Sequence, residues 1–324
     1  MKINIFGVGR SGTKAVQVYL TYLLARHTGD PVHVNYEPYF WQSRNGPISY
    51  EGLIYHYRDP LFALSPEVFS ESHRAYLTSL SRHQSVVTKF IRGNGRIAAI
   101  DRLTAPDHTI VIVRDLYSVL ESLLDLDWNL YSEFSPFFGM SYRSVFPGIC
   151  AQLETLDVAN ELRPLSQSGS RIAKNALYWY VMNRAALNVA PRENLYFLDY
   201  AHLQELENLA SRRLGLPGQG ISPENKMFRG THIHDSRLFR DQRRPTHRIK
   251  RAVNRQAYYL SALYGMDFVP FRVPIGGAVT LSGKPPKTAE LVERSDRCRI
   301  ERNGLLDFLD QDIRDRLASR PHLY

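Results

Sequence analysis

The chemistry of this chain begins where its first apolar run stops, at Gly7-Val8-Gly9-Arg10-Ser11-Gly12-Thr13-Lys14. Glycines let backbone N–H groups close around an anion, and a helix starting there adds its positive end. Phosphate binding is the chemistry this loop predicts. As G-x-G-x-x-G, Gly7, Gly9 and Gly12 fit a dinucleotide loop, and Glu37 after the second apolar run could bind a ribose. That reading makes the chain an NAD-dependent oxidoreductase. As a Walker A loop the segment fails. Thr13 stands where a lysine must reach the β- and γ-phosphates, and Lys14 where a hydroxyl must hold Mg²⁺.

A second cationic position lies in Val113-Arg114-Asp115-Leu116, at the end of the fourth apolar run. Arg114 there falls at the C-terminal end of a strand, where open α/β sheets bind ligands. Ser122 follows eight residues later, about two turns into the next helix. Taken singly, Arg114 and Asp115 read as a surface ion pair and Ser122 as an ordinary helix serine.

Together these segments resemble the PAPS-dependent sulfotransferase family, carbohydrate-type and bacterial in flavour. In that family a basic residue followed by Ser-Gly-Thr holds the 5′-phosphosulfate, as Arg10-Ser11-Gly12-Thr13 would here. An arginine at a strand end with a serine eight positions on holds the 3′-phosphate, the places of Arg114 and Ser122. The resemblance extends over roughly residues 1–270. Asp199-Tyr200-Ala201-His202 looks like the family's Tyr-Glu-Asp-Leu segment, of which only Tyr200, near the adenine, carries over. Trp179 with Asn183 resembles the preceding helix. Gly230–Arg240 looks like the late basic loop without its usual Gly-Asn, and Arg237 is its candidate 3′-phosphate ligand. Lys14 departs from the commoner hydroxyl residue.

The resemblance implies a sulfotransferase that moves a sulfuryl group from 3′-phosphoadenosine 5′-phosphosulfate to an acceptor hydroxyl, with adenosine 3′,5′-bisphosphate as product. Arg10 would neutralise the 5′-phosphate or bridging oxygen, and Ser11, Gly12 and Thr13 would donate to the 5′-phosphate. Arg114, Ser122 and Arg237 would select the 3′-phosphate. Glu37, in Asn35-Tyr36-Glu37-Pro38, resembles the Glu-Pro segment of carbohydrate-type members and is the candidate base; a surface carboxylate is the plain alternative. Lys89 matches the lysine that stabilises the departing group, whereas the histidine many relatives carry two positions later is Ile91 here. No metal is expected. A carbohydrate or glycolipid hydroxyl is the expected acceptor, with a small phenol or secondary metabolite left open.

These residues need a scaffold that brings strand ends together. Short apolar runs at Lys2–Phe6, Val32–Asn35, Ser85–Phe90, Thr109–Val113 and Asn194–Leu198 read as strands covered on both faces. Helical patterns at Thr13–Ala25, Leu116–Leu124, Lys174–Val189 and Ala201–Leu214 alternate with them. The expected fold is α/β, a central parallel sheet with helices on both faces, P-loop-like, carrying long aromatic-rich insertions at Tyr36–Tyr57 and Trp128–Phe146. Residues 1–271 form the expected main domain and residues 272–324 a tail or small helical appendage, with a short helix near Leu305–Leu317.

Lys and Arg number 41 against 32 Asp and Glu, a net charge of +9, which suits an anionic ligand. Nine of those cations and two acids lie between Arg229 and Arg255. That cluster reads equally as a solvated basic face, and a non-catalytic anion- or nucleic-acid-binding protein is the third reading. No helix-turn-helix, RNA-recognition or zinc-finger pattern accompanies it, so nucleic acid is not expected. His232 and His234 with Asp235 read as polar surface or anion contacts rather than metal ligands. The two cysteines, Cys150 and Cys298, form no C-x-x-C. No signal peptide and no apolar run of about 20 residues is present, so a cytoplasmic chain without a transmembrane segment is expected. The sequence assigns no oligomeric state.

Overall fold

β1 (Lys2–Gly7) sends Ile3 and Ile5 to one face of the sheet and Phe6 to the other, as a strand buried on both sides must. The computed structural model describes residues 1–30, 32–36, 66–69, 71–91, 93–125, 156–218, 268–269, 278–281 and 300–320. After β1 come α1 (Thr13–Thr28), β2 (Val32–Tyr36), α2 (Glu71–Ser79), β3 (Val86–Phe90), α3 (Ile97–Thr104), β4 (His108–Val113) and α4 (Leu116–Asp125). Then follow α5 (Ala159–Gln167), α6 (Arg171–Leu187), β5 (Leu195–Asp199), α7 (Leu206–Arg212), β6 (Phe268–Val269), β7 (Ala278–Leu281) and α8 (Gly304–Ala318).

The strands lie in the order β5-β4-β1-β3-β2-β7-β6. β1 to β5 are mutually parallel, and β7 and β6 extend the β2 edge in antiparallel fashion. The fold is α/β. Its first strand neighbours the third and fourth, unlike the 3-2-1-4-5 order of dinucleotide-binding sheets.

One face of the sheet packs against α1 and α7 through Val16, Tyr19, Leu20, Leu23, Leu206 and Leu209. The other packs against α3, α4 and α6, and includes Ile100, Leu120 and Trp179. α1 is buried nearly all round, and the amide of its buried Gln17 is satisfied. The Gln17 amide donates to the carbonyls of Asn35 and Val87, both at 3.1 Å. Gly29, at φ 72°, ends the helix and returns its N–H to the Ala25 carbonyl.

These faces place the site. The chain leaving β1 crosses to the α1 face, and the chain leaving the adjacent β4 crosses to the α4 face. Neighbouring strands that hand the chain to opposite faces open a crevice at their C-terminal ends.

The expected helix at Ala201–Leu214 is instead a 3-10 turn, Tyr200–Glu205, followed by α7. His202, at φ −104° and ψ 30°, breaks the path. The Asp199 side chain accepts the Ala201 N–H at 2.9 Å and draws the chain into that turn. Beyond residue 272, Ala278–Leu281 pairs with β2, and α8 places Leu306, Leu309, Ile313 and Leu317 in the α6 cluster. Arg184 of α6 ties the two helices, donating to Asp157 at 2.6 Å and Asp312 at 2.9 Å. The aromatic segments expected as insertions lie outside the described residues, apart from Tyr36 at the end of β2. Among the described residues no helix is long and apolar enough to cross a membrane.

Candidate functional site

Close approach of α1 to the sheet requires Gly7. A Cβ there would fall 2.7 Å from Thr13 Cγ2 and 2.9 Å from the Ile112 carbonyl. The chain then turns on the Ser11 N–H to Val8 carbonyl bond at 3.0 Å and enters α1 through Gly12 at φ 89°. Among the described residues no side chain caps α1. Its first turn therefore offers backbone donors and the positive end of the helix dipole. Ser11 is fully buried and its Oγ has no partner among the described residues.

α4 begins at the same sheet edge and is different. Its Ser118 N–H is taken by Asp115 Oδ1 at 2.8 Å and its Leu116 N–H by Asp310 Oδ1, reaching from α8, at 2.7 Å. Two carboxylates already occupy that helix start and would repel an anion there. Asp115 is thus the N-cap of α4, which replaces the surface ion pair with Arg114 as its role.

Arg114, at the end of β4, points at the glycine turn. Its Nη1 donates to the Arg10 carbonyl at 3.1 Å. The guanidinium lies 4.6 Å from the centroid of the Tyr200 ring, and its buried Nε has no partner among the described residues. The Arg114 carbonyl accepts from Trp179 Nε1 at 3.0 Å, so α6 fixes the strand end from behind. Arg10 Nε donates to Ser122 Oγ at 2.8 Å. Tyr200 closes the group over the loop, since a Cβ on Gly12 would fall 2.3 Å from the Tyr200 Cε2. Arg10, Gly12, Arg114, Ser122 and Tyr200 thus meet from four separate segments.

Thr13 and Lys14 occupy the first turn of α1. Lys89 is 2% exposed near the end of β3, beside β1 in register with Ile5, on the α1 face it shares with Val87. Glu37, Arg237, His232, His234 and the whole 229–255 cluster lie outside the described residues. Two guanidinium groups and the start of α1 make the crevice electropositive, while Asp115 and Asp199 both turn inward as caps. Among the described residues no three metal-ligating side chains gather.

The motifs did not point to Asn94 and Arg96, which follow β3 in a 3-10 turn packed on α6 and are fully buried. Among the described residues, Asn94 and the buried Asn183 of α6 each leave both amide atoms unpartnered. An unpaired buried polar group costs about 1–3 kcal/mol, so both positions call for water or a polar ligand atom. Asn183 was marked beside Trp179 by the helix resemblance, but Asn94-Gly95-Arg96 reads in sequence only as a turn. No protein family, no curated protein and no solved structure matches this chain.

Proposed function

We propose that this chain is a sulfotransferase that binds 3′-phosphoadenosine 5′-phosphosulfate on a P-loop-like glycine turn and transfers its sulfuryl group to an acceptor hydroxyl. The observation that carries the reading is the convergence of Arg10, Arg114 and Ser122 at the uncapped start of α1. The cradle fits a phosphorylated nucleotide. It presents the buried Ser11 Oγ and Arg114 Nε, both unpartnered among the described residues, beside the start of α1, and Asp115 is already held as the cap of α4.

The reaction is an in-line displacement at sulfur. The acceptor oxygen forms the new S–O bond, and the bond from sulfur to the 5′-phosphate oxygen breaks. The acceptor proton passes to a base, and adenosine 3′,5′-bisphosphate leaves. Positioning and fixed positive charge supply most of the catalysis. Arg114 and Ser122 anchor the nucleotide, and Tyr200 with the guanidinium stacked on it forms the wall for the adenine. Lys89 neutralises charge on the departing oxygen. Glu37, the residue after Tyr36, which is in register with Lys89, is the base. The acceptor is a carbohydrate or glycolipid hydroxyl, and the chain acts in the cytoplasm.

A dinucleotide enzyme would use Gly7, Gly9 and Gly12 but would give Arg114 and Ser122 no task. The strand order also departs from the one such enzymes use. The test is transfer of label from ³⁵S-labelled donor to a panel of sugars, glycolipids and phenols, with Glu37→Gln beside the wild type. Labelled ester from the wild type, lost in Glu37→Gln with donor affinity kept, supports the reading. Absence of transfer with tight NAD binding overturns it.

A further inference from the structure

We infer that Arg10 reads the 3′-phosphate of the nucleotide, not its 5′ end, so that the glycine turn itself supplies one side chain to the far phosphate. The inference rests on the function proposed above and changes the division of labour within it. By motif, Arg10 belongs with Ser11, Gly12 and Thr13 at the sulfuryl end, apart from the Arg114 and Ser122 pair. The geometry divides the residues differently. Arg10 Nε donates to Ser122 Oγ at 2.8 Å, and Arg114 Nη1 holds the Arg10 carbonyl at 3.1 Å. Ser122 lies in the second turn of α4, six residues past its start, which is about 9 Å along the helix. The Arg10 side chain therefore runs away from the start of α1 and joins the Arg114 and Ser122 group.

The backbone shows what sends it there. Arg10 has φ 76°, one of two non-glycine residues in the left-handed region among those described. A side chain adopts that conformation only where its surroundings impose it. Here the described surroundings include the Arg114 guanidinium on its carbonyl and Ser122 at its tip. Two guanidinium groups and one hydroxyl match the charge and the acceptor oxygens of a dianionic phosphate. The other end of the nucleotide keeps donors without Arg10, in the start of α1 and the buried Ser11 Oγ. Discrimination between nucleotides with and without a 3′-phosphate is thus written into the glycine turn.

The test is calorimetry of wild type and Arg10→Gly with adenosine 3′,5′-bisphosphate, adenosine 3′-monophosphate and adenosine 5′-monophosphate. Glycine is at ease at φ 76° and leaves the carbonyl that Arg114 binds, so the variant folds, as its melting temperature will show. Affinity for the two 3′-phosphorylated ligands should fall about 10- to 100-fold, the effect of one charged hydrogen-bonding group, while that for the 5′-monophosphate changes less than about threefold. Arg10→Lys should recover only part of the loss. Equal loss for all three ligands, loss confined to the 5′-monophosphate, or no loss would each overturn the assignment. A wild type that does not prefer the bisphosphate overturns the function proposed above, and this inference with it.

Discussion

Gly12 occupies the tightest point of the site, and its replacement by alanine tests the packing there. Two separate costs arise. At φ 89° an alanine backbone is in the left-handed region, which costs about 1–2 kcal/mol. Its Cβ would fall 2.3 Å from Tyr200 Cε2 and 2.6 Å from Cδ2, more than an ångström inside contact distance. The ring can relieve this only by moving away from the Arg114 guanidinium 4.6 Å from its centroid. Overpacking of this kind costs about 1–3 kcal/mol, and the lost cation–π contact about 0.5–1 kcal/mol. Gly12→Ala should therefore destabilise the protein by about 2.5–6 kcal/mol in urea unfolding followed by tryptophan fluorescence. In a Tyr200→Ala background only the backbone cost of about 1–2 kcal/mol should remain, leaving a coupling of about 1.5–4 kcal/mol. If alanine costs the same in both backgrounds, Tyr200 does not lie over the turn. If it costs nothing in either, the loop conformation described here is wrong.

Asp310→Ala removes the acceptor for the buried Leu116 N–H and the partner of Arg314 at 2.8 Å. It should cost about 2 kcal/mol and speed hydrogen exchange at Leu116, while Asp310→Asn, which keeps an acceptor oxygen, should cost about half as much. Unchanged exchange at Leu116 would show that α8 does not cap α4. His33 is buried with the His83 ring stacked on it at 3.8 Å, and burial followed by the charge of His83 lowers its pKa from 6.5 to about 4. The folded protein keeps His33 neutral where the unfolded chain takes up a proton. Its contribution is fully present above about pH 6.5 and is lost as pH falls from there through about 4. Urea midpoints measured across that window should drop less steeply for His33→Gln than for the wild type; parallel curves would refute the assignment.

The sheet was legible in the sequence because its strands are buried on both faces and announce themselves as apolar runs. Val32–Asn35 and Thr109–Val113 each fall within an observed strand. The glycine turn was legible because only Gly7 tolerates the approach of Thr13 and only glycine is at ease at Gly12. What escaped was determined by distant residues. Asp115 reads locally as a partner for Arg114, and only the position of α4 makes it a cap. Asp310 reads as one acid on a charged helix until α8 is seen beside Leu116. The pairing of Ala278–Leu281 with β2 carries no local signal, because a four-residue strand in Pro/Gly-rich surroundings resembles loop. The meeting of Arg10 with Ser122 was hidden for a similar reason. It joins residues 112 positions apart through a left-handed arginine that no propensity predicts.

The central claim is that the crevice between β1 and β4 is built for a nucleotide phosphorylated at both ends of its ribose. Calorimetric titration of the wild type with adenosine 3′,5′-bisphosphate, adenosine 5′-monophosphate, NAD and ATP tests it most directly. The account predicts that the bisphosphate binds at least about 30-fold more tightly than each of the others, a difference of about 2 kcal/mol. Equal affinities for the bisphosphate and the monophosphate, or tighter binding of NAD, would contradict it.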